Sequence, residues 1–241
     1  MKDKYDIVIV GSGLGGLASG VMLAKNGYKV CILEKNNQFG GNLQTFVRAR
    51  SIFDTGVHYI GGLSEGQNLY RYFKYLGIMD ELELKKLDEF GFDVVSFGDS
   101  EKVYRHAQGY ENFINVLLED FPEEEKGIRA YCDKLKETCA SFPLYHLENG
   151  KPYHQNNTLF EINAKECIAS FTENEELRAV LAATNLLYAG DSERTPFYVH
   201  ALTVNSYIES SYRCVNGGSQ ITKLLIRRLR DHDGDAFKHK Q

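Results

Sequence analysis

Tryptophan is absent from this 241-residue chain, and its five cysteines form no C-x-x-C pair. No apolar run approaches 18 residues, which excludes an obvious membrane-spanning helix. Nor does a basic, apolar and cleavable leader precede the first strand at Tyr5. Cys31, Cys132, Cys139, Cys167 and Cys214 are odd in number and match neither a disulfide framework nor a zinc site. They are therefore expected to be reduced, mostly buried thiols, and the expected compartment is cytoplasmic. A basic excess is missing too: with net charge -5 and pI near 5.8 the chain offers no nucleic-acid footprint and no polybasic lipid patch. His106, His146, His154, His200, His232 and His239 show no ligand spacing with acids or other donors, so no metal is assigned. What remains is an ordinary globular composition, 43% hydrophobic and 25% charged.

The organisation begins with residues 5–10, a nearly continuous apolar run rich in β-branched side chains, expected to be a parallel strand covered on both faces. A helix follows over 14–26, with Gly27 placed for a left-handed C-terminal cap. Residues 29–33 read as a second buried strand, which completes one βαβ unit. After residue 60 long polar helices and alternating segments replace the glycine turns, which marks a second domain. Helices are expected over 109–118, 124–138 and 196–208, and a short strand over 92–97. Thr172-Glu173-Asn174-Glu175 has the form of a capping box, followed by Leu177, Val180, Leu181, Thr184 and Leu187 on one helical face ended by Gly190. Thr195-Pro196 supplies an N-cap and first-position proline. Gly217-Gly218-Ser219 opens a last helix with Ile221, Leu224, Leu225 and Leu229 aligned, and residues 236–241 begin a strand with no visible end.

The first glycine turn carries the chemistry. Gly11, Ser12, Gly13, Leu14, Gly15 and Gly16 fit G-x-G-x-x-G between a strand and a helix. Such glycines make the tight turn, admit a pyrophosphate to the backbone and let the helix pack on the strand. The helix N-terminus then supplies unpaired N–H groups and a positive dipole end to the anion. Glu34 closes the second strand eighteen residues after Gly16, where an acid accepts from ribose hydroxyls and repels a 2′-phosphate. FAD or NAD is expected rather than NADP.

Two further segments resemble a family. After Glu34 and Lys35, the run Phe39-Gly40-Gly41-Asn42-Leu43-Gln44-Thr45 resembles the second glycine motif of glutathione-reductase-type flavoproteins. The segment from Phe53 through Gly56, Val57 and His58 to Gly61 is similar to the one that passes the flavin in phytoene desaturases, carotenoid isomerases and retinol saturases. The resemblance implies an α/β fold: a Rossmann-like FAD-binding domain with an inserted α+β substrate domain. The division it implies is 1–60 for the first part of the FAD domain, 61–208 for the inserted substrate-binding region, and 209–241 for the return. It also implies that the chain is the N-terminal part of a longer protein whose later segments complete the site. Gly11, Ser12, Gly13, Leu14, Gly15, Gly16, Glu34, Lys35, Gly41, Asn42, Thr45, Gly56, Val57 and His58 are the implied cofactor residues. Asn42 stands where the family often has arginine, which replaces a charge-assisted contact by an amide one. Gly20 stands where alanine is usual, at about 1 kcal/mol of helix propensity.

The implied activity is flavin-dependent oxidation or reduction of C=C or C–C bonds in a hydrophobic isoprenoid, with NAD(P)H or a redox protein as electron partner. No catalytic acid or base is assigned, since the cofactor carries the chemistry. Tyr188, Phe197, Tyr198 and Tyr207 are the candidate substrate-lining residues, with plain core packing as the alternative. The segment from Leu69 to Leu76 reads either as an interfacial helix, giving peripheral membrane contact, or as a core helix with a snorkelling lysine. Competing functions on the same fingerprint are an amine oxidase, a sugar-nucleotide mutase, and a flavin-free prenyl-lipid binder of the Rab GDP-dissociation-inhibitor type. The polyene-like segment 53–61 separates it from the first two, and the intact glycines with Glu34 separate it from the third.

Overall fold

A computed structural model describes residues 4–148 and 157–240, so His154 lies outside the described residues. The chain divides into two compact units. One comprises residues 1–60, 65–85 and 212–241, and the other residues 61–64 and 86–211. Residues 65–85, which the expected division grouped with the inserted region, lie within the first unit.

In the first unit, β1 (Ile7–Val10) and β2 (Val30–Leu33) pair in parallel, Ile7 opposite Val30 and Val10 opposite Leu33, with helix α1 (Leu14–Lys25) as the crossover. The C-terminal strand Asp235–Phe237 pairs with the other side of β2, so β2 is central and β1 lies at the edge of this three-stranded sheet. One expectation fails here. β1 is not covered on both faces, for Val8 and Val10 are 54% and 87% exposed while the central strand is buried. Helix α1 packs beside the helix Ser219–Asp231, which buries Ile221, Leu224, Leu225 and Leu229 as its spacing predicts. Gly20 acquires a reason that propensity could not supply: a Cβ there would come within 2.7 Å of Ile32 Cδ1, so its absence lets α1 lie close on β2. Beyond β2 an antiparallel hairpin of β3 (Thr45–Arg48) and β4 (Ser51–Asp54) sets Thr45 opposite Asp54. The helix Asn68–Tyr75 buries Phe73 and leaves Tyr72 and Tyr75 exposed, with Lys25 Nζ 4.1 Å from the Tyr75 ring centroid.

The second unit holds a helical core beside the antiparallel hairpin Asp93–Ser96/Val103–His106. Helices Tyr110–Asp120, Glu125–Ala140, Glu175–Ala182 and Phe197–Glu209 bury Phe113, Leu117, Ile128, Tyr131, Leu135, Leu177, Leu181 and Phe197 together. Two capping expectations shift by a residue or two. Asn174, not Thr172, caps the helix Glu175–Ala182, accepting from the amides of Glu176 and Leu177, while Thr172 Oγ1 accepts from the Asn174 amide. Pro196 occupies the cap position of the helix Phe197–Glu209, and Thr195 Oγ1 accepts from the Asp191 amide instead. The 3₁₀ turn Ala183–Tyr188 tightens the period to three residues, which buries Thr184 but leaves Leu187 40% exposed, off the helical face expected of it.

All five cysteines are buried free thiols. Burial pushes Cys132 and Cys139 up to about 12 and Cys167 and Cys214 up to about 11, so none is a ready nucleophile at neutral pH. Among the described residues no helix is long and apolar enough to cross a membrane.

Candidate functional site

Because β1 ends at Val10 and α1 begins at Leu14, the turn between them delivers the first amides of α1 to the end of the sheet. Gly13 takes the N-cap position with φ -65° and ψ 174°, and no side chain caps the helix. The glycines of the turn have different reasons to be glycine. At Gly16 a Cβ would sit 2.2 Å from the Gly11 carbonyl oxygen, so the turn itself demands glycine there. At Gly13 and Gly15 a Cβ would meet nothing within 4 Å, and at Gly13 any L-residue could adopt the backbone. Space kept beside uncapped N–H groups is what a diphosphate needs to approach the main chain. The residues present therefore fit a dinucleotide.

Glu34 is 5% exposed at the end of β2. Its Oε2 accepts from the Ser12 hydroxyl and from the Ser12 amide at 3.0 Å, and its Oε1 accepts from the Asn36 amide at 2.9 Å. Burial pushes this carboxyl up, but bonds from the Ser12 hydroxyl and the amides of Asn36, Ser12 and Lys35 outweigh it, so its pKa lies below the ordinary value. Glu34 is thus a fixed anion at neutral pH, oriented by the glycine turn.

Ser12 joins the two glycine segments. Its carbonyl and hydroxyl oxygens accept from the Gly40 amide at 3.0 and 3.2 Å. Gly41 follows with its Cβ direction 3.2 Å from Gly13 Cα. Leu14, Gly15, Lys35, Asn42, Gly56 and His58 are exposed around this junction, and Val57 is half-buried. A Cβ on Gly56 would lie 3.0 Å from that of Asn42, and one on Gly218 would lie 3.6 Å from that of Val57. Thr45 Oγ1 donates to Ser219 Oγ at 3.2 Å. Residues 11–16, 34, 40–45, 56–57 and 217–219 are thereby gathered at one end of the first unit.

Asp54 holds this gathering together, and sequence reasoning passed over it. Its side chain is 3% exposed, its Oδ1 accepts from the Gly218 amide at 2.7 Å, and its Oδ2 faces Arg213 at 3.4 Å. Gly217, with φ +90°, leaves room for that carboxylate, because a Cβ would fall 2.7 Å from Asp54 Oδ1. Asp54→Ala leaves the buried Gly218 amide without its acceptor. It is expected to destabilise the first unit by about 2–3 kcal/mol in urea unfolding. A change below about 0.5 kcal/mol would show that water replaces the carboxylate at no cost.

The four aromatic candidates of the second unit do not share one wall. Phe197 is buried in the core, Tyr198 stacks on Phe142 with centroids 5.4 Å apart, and Tyr207 stacks on Phe92 at 6.3 Å. Tyr188 lines a cavity of about 400 Å³ between residues 164–169 and 175–195.

Residues 9–76 match the NAD(P)-binding Rossmann-like domain. Over 95% of its length the chain is 31% identical to all-trans-retinol 13,14-reductase of Rattus norvegicus, of which it spans 40%. Over 61% of its length it is 32% identical to the chloroplastic prolycopene isomerase 2 of an Oncidium hybrid cultivar, spanning 25% of that protein. The solved structure of a putrescine oxidase superposes on 98% of this chain and 51% of its own, with a TM-score of 0.62 at 15% identity, which establishes the shared fold.

Proposed function

The chain belongs to the family of the all-trans-retinol 13,14-reductases and prolycopene isomerases, and from that membership we propose that it carries the nucleotide-binding part of an FAD-dependent oxidoreductase acting on carbon–carbon bonds of a hydrophobic isoprenoid. The observation that carries this reading is the open backbone at Gly13 and Gly15 beside the buried, charged Glu34. In it the amides at the start of α1 receive the pyrophosphate, and Glu34 accepts from the ribose hydroxyls while its charge turns away a 2′-phosphate. Gly41, Asn42 and Thr45 extend the cofactor contact from the segment that Ser12 ties to the turn, and Gly56, Val57 and His58 border the flavin end. Flavin supplies the redox chemistry when bound, so these residues bind, orient and exclude water.

The isoprenoid assignment rests on the names of the relatives, a retinol reductase and a prolycopene isomerase. NAD(P)H or a redox protein is the proposed electron partner. The chain spans 40% of the rat relative, so the test uses the uninterrupted gene product. Purified protein is expected to be yellow, to release FAD on denaturation, and to carry an isoprenoid detectable by mass analysis of extracted lipid. Colourless protein that nonetheless carries prenyl lipid would replace the flavoenzyme reading with that of a lipid carrier.

A further inference from the structure

In the second unit the buried tyrosine Tyr131 and the cavity-lining Tyr188 are joined through one histidine. Tyr131 Oη lies 2.7 Å from His200 Nε2, and Tyr188 Oη lies 2.9 Å from His200 Nδ1. Tyr131 and His200 have no exposure to solvent, and burial keeps the imidazole neutral at physiological pH. A neutral imidazole has one donor and one acceptor nitrogen, so the chain of bonds must run in one direction. Tyr131 decides which. The imidazole is its hydrogen-bond partner in the core, and a buried O–H proton left without an acceptor costs more than an unfilled lone pair. Tyr131 therefore donates to Nε2, Nδ1–H donates to Tyr188 Oη, and the Tyr188 proton is left over. No acceptor for it exists among the described residues.

The cavity that Tyr188 lines has five apolar side chains in its wall, Ala164, Ile168, Ala169, Ala179 and Ala182. Among the other lining residues Lys165 and Arg178 are balanced by Glu175 and Asp191, so no net charge selects an ion. Two nitrogens of the Arg178 guanidinium are already spent on the carbonyls of Thr172 and Ala169. At about 400 Å³ the space falls within the range of roughly 300–1,000 Å³ usual for small-molecule sites. We propose that this cavity binds an uncharged apolar molecule bearing a terminal oxygen, such as an isoprenoid alcohol or aldehyde, and that Tyr188 donates its hydroxyl proton to that oxygen. His200 and Tyr131 act as positioning residues that fix the direction of the donor. The choice of an isoprenoid rests on the function proposed above, whereas the cavity, its polarity and its donor do not.

The probes are all-trans-retinol and its 15-deoxy hydrocarbon, titrated into the full chain by fluorescence without flavin or turnover. Tyr188→Phe keeps the ring and is expected to weaken retinol binding five- to tenfold while leaving the hydrocarbon unchanged. Ala179→Phe puts a bulky ring on a lining position and is expected to abolish binding of both. Equal effects of Tyr188→Phe on the two probes, or none, would overturn the donor role. Undiminished binding to Ala179→Phe would overturn the cavity. Thermal unfolding of each variant separates these outcomes from misfolding. FAD content of the uninterrupted protein is scored independently, so losing the cavity leaves the flavin reading standing and the reverse also holds.

Discussion

Gly16→Ala is expected to destabilise the first unit by about 2–3 kcal/mol, whereas Gly13→Ala is expected to cost at most about 1 kcal/mol and yet abolish dinucleotide binding. The contrast follows from what each missing methyl group faces. At position 16 the new carbon would press on the Gly11 carbonyl oxygen from 2.2 Å, and that oxygen is backbone, so α1 must move off the turn. Alanine's better helix propensity returns only about 1 kcal/mol of the loss. At position 13 the new methyl enters empty space on a backbone of φ -65°. Stability then changes only through the weaker N-cap, while the methyl fills the space in which the proposed function seats the diphosphate. The affinity of the uninterrupted protein for FAD should fall at least ~100-fold, about 2.7 kcal/mol. Urea midpoints of both variants and FAD titrations check the pair. Retained affinity in Gly13→Ala would mean that the diphosphate is not seated on this turn.

Between pH 7 and pH 5 the second unit is expected to lose about 2 kcal/mol of stability through His200 alone. Burial and the neighbouring His106 push the His200 imidazole down to about 3, below its ordinary value of 6.5. Burial likewise lowers His106, against a smaller opposing effect of Asp93. Between pH 6.5 and pH 3 the unfolded chain takes up a proton that native His200 refuses, so stability falls as the pH falls across that window. Glu34 acts elsewhere. Its folded pKa is depressed, so its contribution is complete above the ordinary carboxylate range and is lost only as the pH drops through the lower folded value. Above the ordinary carboxylate range only His200, of these two groups, contributes to the slope. Urea unfolding at pH 7, 6 and 5 should show the slope, and His200→Gln, which has no imidazole to protonate, should flatten it. An unchanged slope in that variant would assign the acid sensitivity to other groups.

The sequence was informative where local pattern decides structure. The apolar period, the capping glycine at 27 and the spacing of Glu34 placed the βαβ unit without tertiary knowledge. Asp54 was illegible because its partner, the Gly218 amide, lies 164 residues away. Gly20 looked like a defect until the opposing Ile32 was visible. The exposure of Val8 and Val10 depends on β1 lying at the sheet edge, which an apolar run cannot reveal. Helical period misled at Leu187 because the chain tightens to 3₁₀ there, and residue type could not foretell that Tyr188 lines a cavity and bonds to His200.

The pairing of Asp235–Phe237 with β2 governs the order of assembly. The central strand of the first sheet meets one of its partners only after roughly 200 further residues have been made, and closing so long a loop is slow. Residues 86–211 form a contiguous stretch with its own core, so that stretch is free to condense first and shorten the span to be closed. During synthesis β1 and β2 emerge early, with no second neighbour for β2. A nascent chain halted before residue 235 is thus expected to leave one edge of β2 unpaired and open to strand-to-strand association.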